Sequence, residues 1–481
     1  MDIGVTAYGV YIPRYRMDRK VIRGAMGWFN PAGLPGEKAV ANYDEDSITM
    51  AVAAAWSCLD GKAAGIKSLC FATTTHPYGE GEGAAIIGTV LGLSQRMRTA
   101  DFGGSLKSGT SALLAASESV KSGSVESALV CAADSRLGRP GTANEMMFGD
   151  GAAALTIGRE GVMATLEGSF SVSYDFPDYR RLGSDSYVSS VEERFIREEG
   201  YAKFLQEAIR GLLTRFGVKP ESFAKVGFPC LHVGQFSAIG KRLGFQQDQL
   251  HSPLLTTTGE MGAASPLVLL AGMLDNAKPG DNLLLASYGN GAEALWWKVT
   301  EEIGKKRRSE KLGGAMARRK SLTSYEKYLV FRGMLPVDTS ALQGDNPPTQ
   351  PPYTWRERRS ILALSGTRCK RCGTPQYPPQ NVCVDPGCGA VGEMEEYRFS
   401  ERRAKLFSYT VDHISPTLNP PLVFGLVDFE GGGRFVFQIT DCEPDEVVVG
   451  MPLSMSLRRK YEDRIKGMEG YFWKAVPALE G

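Results

Sequence analysis

The sequence has almost no net charge. Its 55 lysines and arginines face 54 aspartates and glutamates, leaving a formal +1 at neutral pH. Such a chain sets up no long-range field to hold a polyanion, so nucleic acid is not expected as a partner. Long hydrophobic runs are missing too. The most apolar stretch, Pro266 to Leu274, is far too short to span a bilayer, and no membrane partner is expected. The N-terminus carries an acid at Asp2 and no basic flank before an apolar segment, which does not read as a signal peptide. Cysteines spread for a disulfide framework are absent as well. Of nine, four cluster and five (Cys58, Cys70, Cys131, Cys230 and Cys442) stand singly in apolar surroundings, as buried reduced thiols do. Together these absences lead us to expect a cytoplasmic protein.

What is present is a globular composition, 43% hydrophobic and 23% charged, over a length that accommodates two or three domains. From Met1 to about Thr300, short β-branched runs alternate with Ala-rich helical stretches, the pattern of an α/β fold. Ser68 to Thr73 and Ser127 to Ala133 read as buried strands, and Thr110 to Lys121 as a helix of small residues suited to close packing. Gly123 to Asp134 with Phe148 to Gly158 echoes Pro279 to Leu295, which predicts two related halves. The segment from Glu301 to Lys320, with its basic residues, reads as a solvated surface, with a phosphate-binding patch as the minority alternative. Gly344 to Pro352 reads as a linker, because proline removes donors and favours extended chain. Beyond it, Trp355 to Leu364 predicts a short helix. Leu406 to Val411, Leu422 to Phe429 and Arg434 to Ile439 predict strands, the last two joined by the turn Gly431-Gly432-Gly433.

Between helix and strands lies Cys369-x2-Cys372, ten residues, then Cys383-x4-Cys388. Each pair places two thiolates on a tight knuckle, and two facing knuckles make the tetrahedral sulfur cage preferred by zinc. Four sulfur ligands leave no open position, so the expected zinc is structural. The aromatics Phe407, Tyr409, Phe435 and Phe437 read as core of a small barrel rather than as stacking platforms for bases.

Six stretches, taken together and in order, carry a resemblance. They are Tyr8-Gly-Val-Tyr-Ile-Pro13, Tyr43-Asp-Glu-Asp46, His76-Pro77-Tyr78, Lys107-Ser-Gly-Thr110, Phe148-Gly-Asp-Gly-Ala152 and Ser287-Tyr-Gly-Asn-Gly291. Residues 1–335 thereby resemble the 3-hydroxy-3-methylglutaryl-CoA synthase branch of the thiolase superfamily, especially its archaeal form. The C-terminal part resembles the zinc-ribbon and OB-fold proteins that accompany thiolases. The resemblance implies a five-layered pseudo-symmetric α/β domain over 1–335, a Pro-rich linker over 336–353, a helix and zinc ribbon over 354–400, and an OB-fold barrel over 401–481. It also implies a CoA thioester as substrate, a homodimer and, for some relatives, a second thiolase-like subunit.

The family's nucleophilic cysteine sits at a helix N-terminus, in Cys-Lys-Ala-Gly-Thr. Here the run is Leu106-Lys107-Ser108-Gly109-Thr110, and a leucine forms no thioester. The family glutamate maps to Thr74, and Glu260 stands where an amide is expected. We therefore expect carbon–carbon bond chemistry on an acyl-CoA without an acyl-enzyme, of which retro-aldol cleavage of a β-hydroxyacyl-CoA is the leading form. In it the backbone of Leu106 with Gly289 or Gly291 forms an oxyanion hole, and Glu260 or His232 moves the proton. A transferase or condensing enzyme using Ser105, and a non-catalytic CoA-binding scaffold, are the alternatives.

Overall fold

The continuous apolar runs of the N-terminal half form strands whose residues are all buried: Ser68–Ala72, Ala128–Asp134 and Gly151–Gly158. In the computed structural model, which describes residues 2–31, 33–60, 65–183, 185–305, 311–338 and 350–478, the first two pair in parallel and the third runs antiparallel to the second. Buried-on-both-faces strands of this kind need helices on either side.

The chain divides into two compact units. One comprises Met1–Asn42, Asp46–Ile87 and Ser94–Arg332; the other comprises Tyr43–Glu45, Gly88–Leu93 and Gly333–Gly481. In the first, nine strands lie in the order 225–227, 282–288, 291–299, 164–173, 4–11, 151–158, 128–134, 68–72 and 98–102. Strands 4–11 and 164–173 meet through only Gly4↔Thr165 and Val5↔Ala164, a seam between two half-sheets. On each side of the seam an antiparallel pair, 128–134 with 151–158 and 282–288 with 291–299, realises the internal echo of the sequence. Helix Ser47–Leu59 covers the outer face of the first half and helix Ala202–Phe216 that of the second. Helices Ser108–Lys121 and Ser265–Asp275 pack between the halves, giving the five layers. Residues 265–274 are buried all round the helix, as a central layer requires.

Small residues make that central layer possible. A Cβ on Gly109 would lie 2.2 Å from the carbonyl oxygen of Ala263, so the first turn of one central helix touches the backbone leading into the other. Asp46, which ends the Tyr43–Asp46 motif, caps helix Ser47–Leu59 in a reciprocal capping box with Thr49. Asp150 of the Phe148–Ala152 motif is also structural, taking the Ala41 N–H at 2.7 Å and pairing with Arg332 at 2.9 Å.

The second unit holds a three-stranded ribbon (Pro375–Gln376, Ser365–Cys369, Met394–Arg398). It also holds a closed five-stranded barrel of Ala404–Asp412, Leu422–Phe429, Arg434–Ile439, Met468–Pro477 and Pro452–Asp463. Two expectations are corrected here. The predicted helix over 355–364 is two short helices, Pro351–Arg356 and Arg358–Ala363, separated at Glu357. Phe407 and Tyr409 are not barrel core. Strand alternation turns Phe407 away from the buried Leu406, and Arg434 stacks on its ring at 3.6 Å. Most of the predicted linker, 339–349, and Lys306, Arg307 and Arg308 lie outside the described residues. Among the described residues no helix is long and apolar enough to cross a membrane.

One carboxylate ties the halves together. Fully buried Asp134, at the end of its strand, accepts from the hydroxyls of Thr73 (2.9 Å), Thr74 (3.0 Å) and Thr75 (2.9 Å). It also accepts the N–H groups of Thr74 and Ala263, both at 2.7 Å. Asp134→Ala leaves these donors unpaired in the interior. The expected loss is at least about 3 kcal/mol of unfolding free energy, read by urea denaturation.

Candidate active site

The first turn of helix Ser108–Lys121 meets the turn between strands Asn282–Tyr288 and Gly291–Val299. Ser105 Oγ donates to the carbonyl of Gly289 at 2.8 Å, and Gly289 N–H donates to the carbonyl of Gly291 at 3.0 Å. A Cβ on Gly289 would lie 2.7 Å from Ser105 Oγ and 2.8 Å from the backbone nitrogens of both Leu106 and Lys107, so only glycine fits. Ser105, Leu106, Gly289 and Gly291 are thus assembled as one cluster at a helix N-terminus, where free N–H groups and the helix dipole favour negative charge. Leu106 brings no nucleophilic atom to it. The Ser105 hydroxyl is already committed to a carbonyl, and attack on a thioester would require it to leave that bond.

Just inside the helix, buried Glu293 collects a polar cluster that the sequence reading overlooked. Its carboxylate accepts from Thr110 Oγ1 (2.5 Å) and Ser111 Oγ (2.8 Å) and pairs with Lys107 Nζ at 3.4 Å. Ser287 Oγ lies 2.6 Å from the Thr110 hydroxyl. This anchors the first turn of the helix to the second half of the fold.

Glu260 sits in the loop before the other central helix, fixed by backbone bonds from its own N–H to Met147 and from Gly149 to its carbonyl. Its fully buried carboxylate pairs with Arg136 Nη1 at 2.6 Å and accepts from Ser265 Oγ at 3.2 Å. The Arg136 guanidinium lies 4.0 Å over the ring of Phe148. Burial pushes the Glu260 carboxyl above the ordinary carboxylate range, and the Arg136 charge opposes that rise. Thr74, at the family glutamate's position, gives its hydroxyl to Asp134.

His232 is the N-cap residue of helix Val233–Arg242. Its Nδ1 lies 3.1 Å from Glu193 Oε1, and its ring meets Tyr201 edge-on with centroids 6.2 Å apart. Burial lowers its pKa, against the pull of Glu193. Among the described residues no hydrogen bond or ion pair joins His232 to Glu260. Asp134, Arg136, Glu193 and Glu293 were not singled out from the sequence. For Asp134 and Arg136 a usable signal existed, since charged residues directly after a buried strand commonly line a site.

In the second unit, the Sγ atoms of Cys369, Cys372, Cys383 and Cys388 all lie within 4.8 Å of one another. The closest approaches are 3.4 Å for Cys372 with Cys383 and 3.8 Å for Cys369 with Cys388. A tetrahedron of sulfurs about 2.3 Å from a zinc ion has edges of about 3.8 Å, so the four residues fit that metal.

Family models support the second unit. Residues 356–394 match the rubredoxin-like zinc ribbon domain of ChsH2, and residues 397–458 match the ChsH2 C-terminal OB-fold domain. A solved structure of MvaS in complex with 3-hydroxy-3-methylglutaryl coenzyme A shares the fold, with a TM-score of 0.60, 21% identity and coverage of 70% of this chain and 92% of the other. The 3-oxoacyl-[acyl-carrier-protein] synthase III of Aquifex aeolicus does so with a TM-score of 0.56, 19% identity and coverage of 62% and 99%. Hydroxymethylglutaryl-CoA synthase of Methanobrevibacter smithii is 32% identical over 350 residues, 69% of this chain and 99% of its own length. That of Pyrobaculum aerophilum is 34% identical over 347 residues, 69% and 98% of the two chains. The chain therefore belongs to the hydroxymethylglutaryl-CoA synthase family, and carries zinc-ribbon and OB-fold domains C-terminal to its synthase-like part.

Proposed function

We propose that this protein is a condensing enzyme of acyl-CoA thioesters that forms its carbon–carbon bond directly on the bound thioester, without an acyl-enzyme. The observation that carries the reading is the cluster of Leu106 with Gly289. The helix N-terminus and its glycine turn are kept, while the nucleophilic atom is absent. The backbone N–H of Leu106 at that point stabilises the oxygen of a thioester enolate, which is the high-energy species when one thioester adds to a carbonyl, whereas the Gly289 N–H is already given to the Gly291 carbonyl. The likeness to synthases supports the bond-making direction over the cleavage that the missing thiol alone suggested. Glu260 is the proton acceptor in this reading, and a base raised by burial is better matched to neutral solution than an ordinary carboxylate. Because it must be ionised to act, the rate falls as pH drops through a value above the usual carboxylate range.

Incubation with acetyl-CoA and acetoacetyl-CoA should leave the protein's intact mass unchanged, while mass spectrometry of the CoA pool shows a hydroxyacyl product that carries both CoA groups, since the α-proton moves to the new hydroxyl and no thioester is broken. An adduct on Ser105 would move the reading to a transferase. Binding of CoA esters with no new product would move it to a scaffold. Glu260→Gln keeps the shape of the side chain and removes its charge, and should cut turnover about 100- to 10,000-fold with CoA-ester binding retained.

The four cysteines hold one structural zinc in this reading, supported by their spacing, their mutual distances and the ribbon match. Such a metal contributes on the order of 10 kcal/mol to folding its module. Metal analysis should find one zinc per chain. Cys372→Ser should lose it and melt the C-terminal module while the first unit stays folded by circular dichroism.

A further inference from the structure

At the start of helix Ser108–Lys121 the polar side chains are paired, with one exception. Lys107, Thr110 and Ser111 all turn to the carboxylate of Glu293, and the Ser105 hydroxyl is given to the Gly289 carbonyl. Ser108 stands apart. It is 4% exposed, and its Oγ is buried with no hydrogen-bond partner. Helix geometry separates it from its neighbours, since 107, 110 and 111 share one face while 108 lies about 100° round from 107.

A buried hydroxyl without a partner is uncommon in a native interior, and its position says what it lacks. Ser108 is the first residue of a 14-residue helix. Side chains on a helix lean toward its N-terminus, so the hydroxyl leans into the space ahead of the helix, where the dipole favours negative charge. The family run Cys-Lys-Ala-Gly-Thr has alanine at this place. Within three residues this chain has therefore lost a thiol and gained a hydroxyl.

The backbone donors nearby are largely spent. Lys107 N–H reaches Ser105 Oγ at 3.4 Å, Ser108 N–H goes to the Ser105 carbonyl at 3.1 Å, and Gly289 N–H goes to Gly291. An enolate oxygen held by the Leu106 N–H thus gains no second bond from the Gly289 turn. A hydroxyl can donate one.

We propose that Ser108 is a catalytic residue whose hydroxyl donates the second hydrogen bond to the thioester oxygen of an acyl-CoA that carries an α-hydrogen. As the α-proton passes to Glu260, the electron pair moves onto that oxygen. Ser108 keeps its own proton and stabilises the charge. The ligand rests on the acyl-CoA condensing reading above; the unpaired state of the hydroxyl does not.

The test uses the full-length protein and Ser108→Ala, which removes one oxygen atom and should melt no lower than the parent. Two readouts are taken. One is deuterium uptake at the α-carbon of acetyl-CoA in heavy water, followed by mass spectrometry. The other is the infrared carbonyl band of bound acetyl-CoA labelled with carbon-13 at the thioester. Losing one oxyanion donor should slow the uptake about 100- to 1,000-fold. The carbonyl band should move to higher frequency in the variant, with binding by calorimetry close to that of the parent. Uptake equal to the parent's overturns the catalytic role and leaves the condensing reading standing. Slowed uptake with an unmoved carbonyl band overturns direct contact with the thioester. If the parent binds acetyl-CoA yet exchanges no deuterium, the condensing reading falls, and the carbonyl band alone decides whether Ser108 touches the ligand. If the parent does not bind acetyl-CoA, both fall.

Discussion

The geometry of the first unit depends on how closely two backbones can approach in its middle layer. The sheet alone does not fix the halves, because strands 4–11 and 164–173 share only two residue pairs. What fixes them is the contact of Gly109 with the Ala263 carbonyl, together with the Asp134 carboxylate, which takes donors from both sides of that contact. A charge buried so deeply is tolerated only because every direction around it offers a donor. The same contact sets the first turn of helix Ser108–Lys121 beside the loop that carries Glu260. Fold and site are thus positioned by one set of interactions.

Much of this was legible in the sequence where periodicity and spacing carry physical meaning. The continuous apolar runs at 68–73 and 127–133 became fully buried strands, because such runs bury both faces. The Cys-x2-Cys and Cys-x4-Cys pairs brought four sulfurs together, because their spacing allows two knuckles and little else. The Gly289–Gly291 turn lies against the backbone of Leu106. What sequence alone did not yield were partners distant in the chain. Arg136 meets Glu260 across 124 residues, and Glu293 meets Thr110 across 183. No local pattern encodes those meetings; they appear only once the half-sheets are stacked. Phe407 was misplaced for a different reason, since in a short barrel strand alternation outranks hydrophobicity and leaves an aromatic ring outside.

Two buried acids show how one fold gives like groups unlike tasks. Asp134 is saturated with donors and behaves as a fixed strut. Glu260 has one guanidinium and one hydroxyl, and its environment leaves it closer to exchanging a proton. Both are buried beside the same loop, and they differ in the count and type of donors around them. The neighbouring Arg136, spread over the ring of Phe148, moderates Glu260 without saturating it.

Leucine at position 106 also changes what can poison the protein. A thiol at a helix N-terminus is the residue most open to alkylation and peroxide, because the dipole that activates it for acyl transfer activates it for every electrophile. In the first unit the thiols of Cys58, Cys70, Cys131 and Cys230 are all buried, and burial pushes Cys230 up to about 12 and Cys70 up to about 11. The exposed sulfur is Cys372, in the ribbon. On the function proposed above, oxidation falls on the exposed Cys372 of the ribbon rather than on the Leu106 cluster, which offers no thiol to lose.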